Sequence, residues 1–222
     1  MERTIKVTGK GNISVRPDRI RLLLNMEGIQ SSYEQTMELS THETGILRDM
    51  FEGLGFDKSD LKTLYFSIDT KYENYQAKDK SWKKRFEGYE YHHNMKIEFD
   101  ADNDRLGRVL YAIVNSSVRP EFRIMYTIKD KESAKNQLLG KAVADSKEKA
   151  RVLTEAAGVT LGEIQLIDYS WGEIEFISSP MNRCMEPMVL DECCMSEAKY
   201  NMDIEPEDIE VSDTVTVVWK IQ

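Results

Sequence analysis

VTGKGNISVRPDRIRLLLNMEG, residues 7–28, is the stretch whose reading decides the fold. Its Gly9-Lys10-Gly11 looks at first like a phosphate loop. Such a loop needs glycines spaced as GxxxxGK[ST] and a helix starting at once, so that backbone N–H groups wrap the anion. Here NISVRPD follows instead, a β-type run closed by Pro17, through which a helix cannot continue. The stretch therefore reads as short strands over 4–7 and 12–15, kinked or bulged at Gly9 and Gly11. A turn or strand edge at Pro17-Asp18 follows. The run over 19–26, RIRLLLNM, alternates and then turns continuously apolar, as a strand more buried at one end does.

Outward from there, Ser31 and Glu34 form a capping box. The helix it opens carries Tyr33, Met37, Leu47, Met50, Phe51 and Leu54 at helical spacing and closes at Gly53 and Gly55. Residues 61–72 read as a strand and 73–85 as a polar, lysine-rich segment. Residues 86–100 read as a second long strand, so the pair makes a hairpin with a long exposed tip. Asp102 caps a helix with Leu106, Val109, Leu110, Ile113 and Val114 on one face. A strand over 121–129 precedes the longest helix, about 131–157, capped by Asp130 and stopped by Gly158. Its inward candidates are Ala134, Leu138, Ala142, Val152, Leu153 and Ala156, small enough to lie close on a sheet. Residues 162–171 and 211–221 are strands, and 174–208 is irregular. The strand, capped helix, glycine, strand sequence occurs twice. The expected fold is α+β: an antiparallel or mixed β-sheet with a long hairpin, about three helices and a repeated β-α-β unit. No Pro/Ser-rich linker divides residues 1–222, which read as a single domain with an irregular Met/Cys-rich acidic insert at about 174–208.

Net charge is -9, and residues 186–213 hold ten carboxylates against Lys199 alone, so that stretch carries the whole imbalance. An acidic field argues against non-specific binding to nucleic acid or anionic lipid. No apolar run approaches the ~20 residues of a membrane span. The first residues, MERTIKVTGKG, show no apolar signal core, and three cysteines with an adjacent pair make a poor disulfide framework. A cytoplasmic, reducing setting is expected.

Candidate chemistry is sparse. His42, His92 and His93 are the histidines. The last two are adjacent on a strand, so they face opposite ways and do not share a metal. No nucleophile elbow, HExxH or CxxC occurs. The sulfur-rich run 181–202 holds Cys184, Cys193 and Cys194 among five methionines. Those three thiols suit a soft metal such as Cu(I) or Zn(II), while the same composition suits an adaptable packing surface or redox-sensitive thiols. Lys78, Lys80, Trp82, Lys83, Lys84 and Arg85 make a basic, aromatic hairpin tip. It reads as a solvated turn, as contact for an acidic protein partner, or as a surface for single-stranded nucleic acid. The overall charge weighs against nucleic acid.

Four segments resemble the SIMPL-domain family. They are IKVTGKGNISVRPDRIRLLLNMEG; LKTLYFSIDTKY, with Thr70 where that family usually has proline; GYEYHHNMKIEF; and AVADSKEKARVLTEAAGVTLGEI. The resemblance implies an α+β fold and a tendency to self-assemble. It also implies bacterial relatives that are often exported envelope proteins, some tied to oxidative-stress tolerance. That family has no established catalytic residues, so none is carried over, and no cofactor is expected. The expected departures from it are the Met/Cys-rich insert and the absence of an export signal. The resulting expectation is a non-enzymatic assembly or interaction protein, homo-oligomeric, with a stress-related role. A soft-metal or small-ligand binder using the insert is the alternative, and an unrecognised hydrolase ranks third.

Overall fold

The structure, a computed structural model, describes residues 3–77, 80–169, 174–178 and 204–222. It is α+β, with two antiparallel sheets and, among the described residues, three helices. The chain forms two compact units.

The first unit draws on residues 1–18, 126–178 and 206–222. Strand β1 (Thr4–Val15) pairs antiparallel with β8 (Ile209–Ile221), which pairs in turn with β6 (Leu161–Asp168), giving the order β1-β8-β6. Helix α3 (Lys131–Ala157) packs on this sheet; Asp130 caps it by accepting from the Ser133 N–H, and Gly158 ends it at φ 68°. The expected kink at Gly9 and Gly11 is not there. β1 is one strand whose register with β8 runs unbroken from Thr4 opposite Lys220 to Val15 opposite Ile209. The glycines serve a close approach instead. A Cβ on Gly9 would lie 2.0 Å from the Ala142 carbonyl oxygen, and one on Gly11 would lie 2.2 Å from that of Leu138. Backbone meets backbone there, which only glycine permits. On the Val7 side of this contact, Val7, Ala142, Ala150, Val215, Val217 and Trp219 form one apolar cluster. On the Ile13 side, Ile13, Ile128, Ala134, Leu138, Phe176 and Ile209 form another.

The buried stripe of α3 is Ala134, Leu138, Ala142, Ser146, Ala150 and Thr154, every fourth residue. Val152, Leu153 and Ala156, expected to face inward, are exposed. Four residues turn the helix by about 400°, so the stripe advances ~40° per step and follows the i±4 ridge instead of a fixed face. The same helix covers the outer edge of β1. The Lys10 N–H donates to Asp145 Oδ2 at 2.7 Å, Lys141 Nζ to the Asn12 carbonyl at 3.2 Å and Lys149 Nζ to the Thr8 carbonyl at 3.5 Å. The hydrogen bond from Lys149, then that from the Lys10 N–H, holds the Asp145 carboxyl below its usual range.

The second unit is built mainly from residues 19–125. It contains β2 (Arg19–Gln30), α1 (Tyr33–Gly53), β3 (Lys62–Gln76), β4 (Trp82–Asp100), α2 (Asn103–Asn115) and the first residues of β5 (Glu121–Thr127), with strands in the order β3-β4-β2-β5. The last two residues of β5 fall in the first unit, where they pair with β7 (Ile177–Ser178). Strand-helix-strand thus occurs twice, as β2-α1-β3 and β5-α3-β6. Ile20, Leu22, Leu24 and Met26 lie opposite Phe99, Ile97, Met95 and His93 on the buried face. The other face is polar: Glu98 takes Arg21 at 2.7 Å, Lys96 at 3.2 Å and Arg19 at 3.6 Å. Burial alone would raise the Glu98 pKa, but the hydrogen bonds from Lys96 and Arg21 outweigh it and hold the carboxyl low.

Helix α1 is capped one residue later than expected. Ser32 accepts from the Gln35 N–H, while Ser31 donates to the Gln35 side chain. Its buried face begins with Thr36, Ser40 and Thr44 and becomes apolar only at Leu47 and Phe51; Tyr33 and Met37 are exposed. Helix α2 is capped by Asp102 as expected, but Val114 is exposed.

The buried polar start of α1 meets His93. Thr44 Oγ1 lies 3.1 Å from its Nδ1 and Thr63 Oγ1 2.8 Å from its Nε2. Phe66 stands edge-on to the ring. Burial, then the charge of Arg48, pushes the His93 pKa below its ordinary 6.5. The fold therefore favours neutral His93: its contribution is complete above the unfolded value and is lost as pH falls through the lowered folded value. Urea unfolding between pH 7 and pH 5 is expected to show falling stability, and less of a fall in His93→Gln. Parallel pH profiles for the two proteins would remove this residue from the acid response.

Candidate interaction surface on the long hairpin

Pairing of β2 with β4 ends at Gln30 opposite Tyr89. Beyond that point β3 and β4 continue alone, from Lys71 opposite Gly88 to Gln76 opposite Trp82. Gly88 marks the root of this two-stranded arm, where a Cβ would lie 2.4 Å from the Gln30 carbonyl oxygen. The strands also step past one another between Lys71 and Tyr72, leaving Glu87 as the extra residue. The turn at the far end is closed by the Ala77 N–H donating to the Ser81 carbonyl and the Lys80 N–H to that of Ala77, with Lys80 at φ 63°.

The arm carries aromatic rings in water. Trp82 is 72% exposed, and Tyr72, Tyr75 and Phe86 are exposed too. A chain of edge-to-face contacts runs along it: Tyr72 to Phe86 at 5.8 Å, Phe86 to Tyr89 at 5.4 Å, and Tyr89 to Tyr33 of α1 at 5.9 Å. Arg85 binds Glu73 at 2.5 Å and lies over the Tyr75 ring. Nearer the sheet, Leu64, Tyr65 and Phe66 of β3 are exposed in succession. A lone two-stranded ribbon is marginal in water, and aromatic side chains this exposed are typical of surfaces that contact partners.

Charges gather at the root. Lys71 Nζ binds Glu90, which raises the pKa of the lysine. Asp69 lies directly across from Glu90, with Ser67 Oγ donating to its Oδ2 at 2.9 Å. His92 lies 3.6 Å from Glu90 and 3.9 Å from Glu27.

Residues 73–85, read from sequence as a polar segment, are mostly strand. β3 runs to Gln76 and β4 starts at Trp82, so Trp82, Lys83, Lys84 and Arg85 lie along a strand opposite Gln76, Tyr75, Asn74 and Glu73. Lys80 sits in the turn, and Lys78 lies outside the described residues. Cys184, Cys193 and Cys194 also lie outside them, with most of the acidic stretch. Among the described residues, no group of three or more His, Cys, Asp or Glu is arranged to hold a metal, and no helix is long and apolar enough to cross a membrane. Sequence reasoning missed the aromatic row and the Asp69–Lys71–Glu90 group. The signal was there in LYFSIDTKYENY: aromatic or aliphatic residues at 64, 65, 66, 68, 72 and 75 leave the strand no wholly polar face.

The model of one protein family, described as SIMPL, protein of unknown function (DUF541), matches residues 5–219, from the first strand to the last. No curated protein matches the chain.

Proposed function

Because the chain belongs to the SIMPL family, whose function is unknown, we propose that it acts as a non-enzymatic assembly protein whose first partner is its own copy. The observation that carries this reading is the projecting β3–β4 arm, with Tyr72, Tyr75, Trp82 and Phe86 exposed along two strands that no third strand supports among the described residues. Covering those rings removes apolar surface from water at about 25 cal/mol per Å². The charges of Lys83, Lys84 and Arg85 contribute less, since exposed pairs give about 0–1 kcal/mol each and are screened by salt. They set orientation and encounter rate more than affinity. A stress-related role would run through what the assembly binds or screens. Light scattering on a size-exclusion column is expected to give a multiple of 25.7 kDa. A monomer at high micromolar concentration in low salt would refute the reading.

A further inference from the structure

We infer that the free edge of β3 is where two copies join, antiparallel, about a twofold axis at Thr70. The inference rests on the self-assembly reading and names the surface that performs it.

An edge strand leaves a row of N–H and C=O groups unpaired, and proteins blunt such rows by covering or charging them. In this chain the edge of β1 is covered: Asp145, Lys141 and Lys149 of α3 take its Lys10 N–H and the Asn12 and Thr8 carbonyls. β3 is treated differently. It is the outermost strand of its sheet among the described residues, runs for 15 residues, and exposes Leu64, Tyr65, Phe66, Tyr72 and Tyr75.

The residues of β3 also complement themselves. Both irregularities of the β3–β4 ladder leave β3 alternating without interruption from Tyr65 to Gln76, because the extra residues are Leu64 and Glu87. Two antiparallel copies centred on Thr70 place Asp69 of one opposite Lys71 of the other, twice by symmetry. The same register sets Ile68 against Tyr72 on one face and Tyr65 against Tyr75 on the other, pairs that suit a sheet. A shift of two residues toward the sheet sets Asp69 against itself. A shift of two toward the arm sets Lys71 against itself and Asp69 against Glu73. A further shift toward the arm opposes Lys71 and Glu73 but engages only residues 68–76.

Within one subunit Asp69 already faces Glu90, a like-charge pair directly across the ladder. Lys71 answers one of these two carboxylates. The lysine of a second copy answers the other. Continuing the sheet in this way also gives each aromatic arm a third strand beside it.

The test uses charge exchange in the full chain. Asp69→Lys and Lys71→Asp each set like charges opposite one another twice, and each is expected to raise the dimer Kd about tenfold or more. The double exchange restores opposite charges and should return the Kd toward that of the parent, since Lys at 69 also answers Glu90. Circular dichroism must show the same fold throughout. As a second measurement, Thr70→Cys, in a chain with Cys184, Cys193 and Cys194 changed to Ser, should form a covalent dimer on mild oxidation, because directly opposed residues lie within disulfide reach. An assembling protein whose Kd is unmoved by Asp69→Lys, or which gives no Thr70→Cys cross-link, would overturn the β3 edge and leave self-assembly standing. A chain monomeric at every concentration would overturn both.

Discussion

Gly9→Ala is expected to lower stability by about 3 kcal/mol, the upper part of the range for an overpacked core. The new methyl would sit 2.0 Å from the Ala142 carbonyl oxygen and 2.4 Å from the Ser146 nitrogen. Both are backbone atoms of a helix, so no side chain can rotate to make room. Helix α3 would have to lift off β1. That movement uncovers Val7, Val215 and Val217 and pulls Asp145 from the Lys10 N–H. The urea midpoint should fall with little change in slope. Gly140→Ala is the matched control. It lies in the same helix with nothing within 4 Å of its would-be Cβ, so alanine there should stabilise by about 1 kcal/mol through helix propensity. A Gly9→Ala protein as stable as the parent would show that β1 and α3 do not meet backbone to backbone.

Phe51→Ala should cost about 3–5 kcal/mol, the usual loss for emptying a buried phenylalanine site. Phe51 is 2% exposed and stands edge-on to Phe56 at 5.7 Å; Phe56 meets Phe99 in turn and carries the Arg105 guanidinium over its ring at 4.1 Å. The loss weighs heavily on α1, because the rest of its buried face is Thr36, Ser40, Thr44 and Leu47. Leu47 and Phe51 are the fully buried apolar side chains of this 21-residue helix, and the substitution removes the larger. Hydrogen exchange should show the amides of α1 losing protection before those of β2 and β4. Uniform loss across all three would mean that α1 is held by its hydroxyl contacts as firmly as by its rings.

Elements whose signals are local were legible in the sequence. Asp102 and Asp130 cap their helices, Gly158 stops the last one in the left-handed region, and the long hairpin and final strand lie where alternation puts them. What escaped depends on residues distant in the chain. Gly9 and Gly11 read as a kink because their reason, the backbone of Leu138 and Ala142, lies well over a hundred positions away. Ala134, Leu138 and Ala142 of the α3 stripe were legible; Ser146, Ala150 and Thr154 escaped because a fixed-face reading favours Val152 and Leu153, while the buried stripe follows the i±4 ridge. At the hairpin, the basic residues Lys83, Lys84 and Arg85 stood out by charge. The aromatic row did not, because residues 73–85 are rich in Lys, Glu, Asn and Gln and so look like a loop, although 73–76 and 82–85 pair as strands. Asp69 and Lys71 become notable only once β3 is known to be an edge.

The pairing of β1 with β8 imposes a wait during synthesis. Thr4 pairs with Lys220, so the first strand leaves the ribosome long before its neighbour exists. At about 5–20 residues per second the interval is roughly 10–40 s. Most of the second unit is contiguous, from residue 19 to 125, and it can close within that time. The face of β1 with Val7 and Ile13 cannot. Helix α3 emerges earlier than β8 and supplies native contacts to β1 in the interval, through Gly9, Gly11 and Asp145. Until the last strand arrives, the nascent chain offers a half-built sheet to whatever chaperone is near, and a stalled or truncated message would leave it in that state.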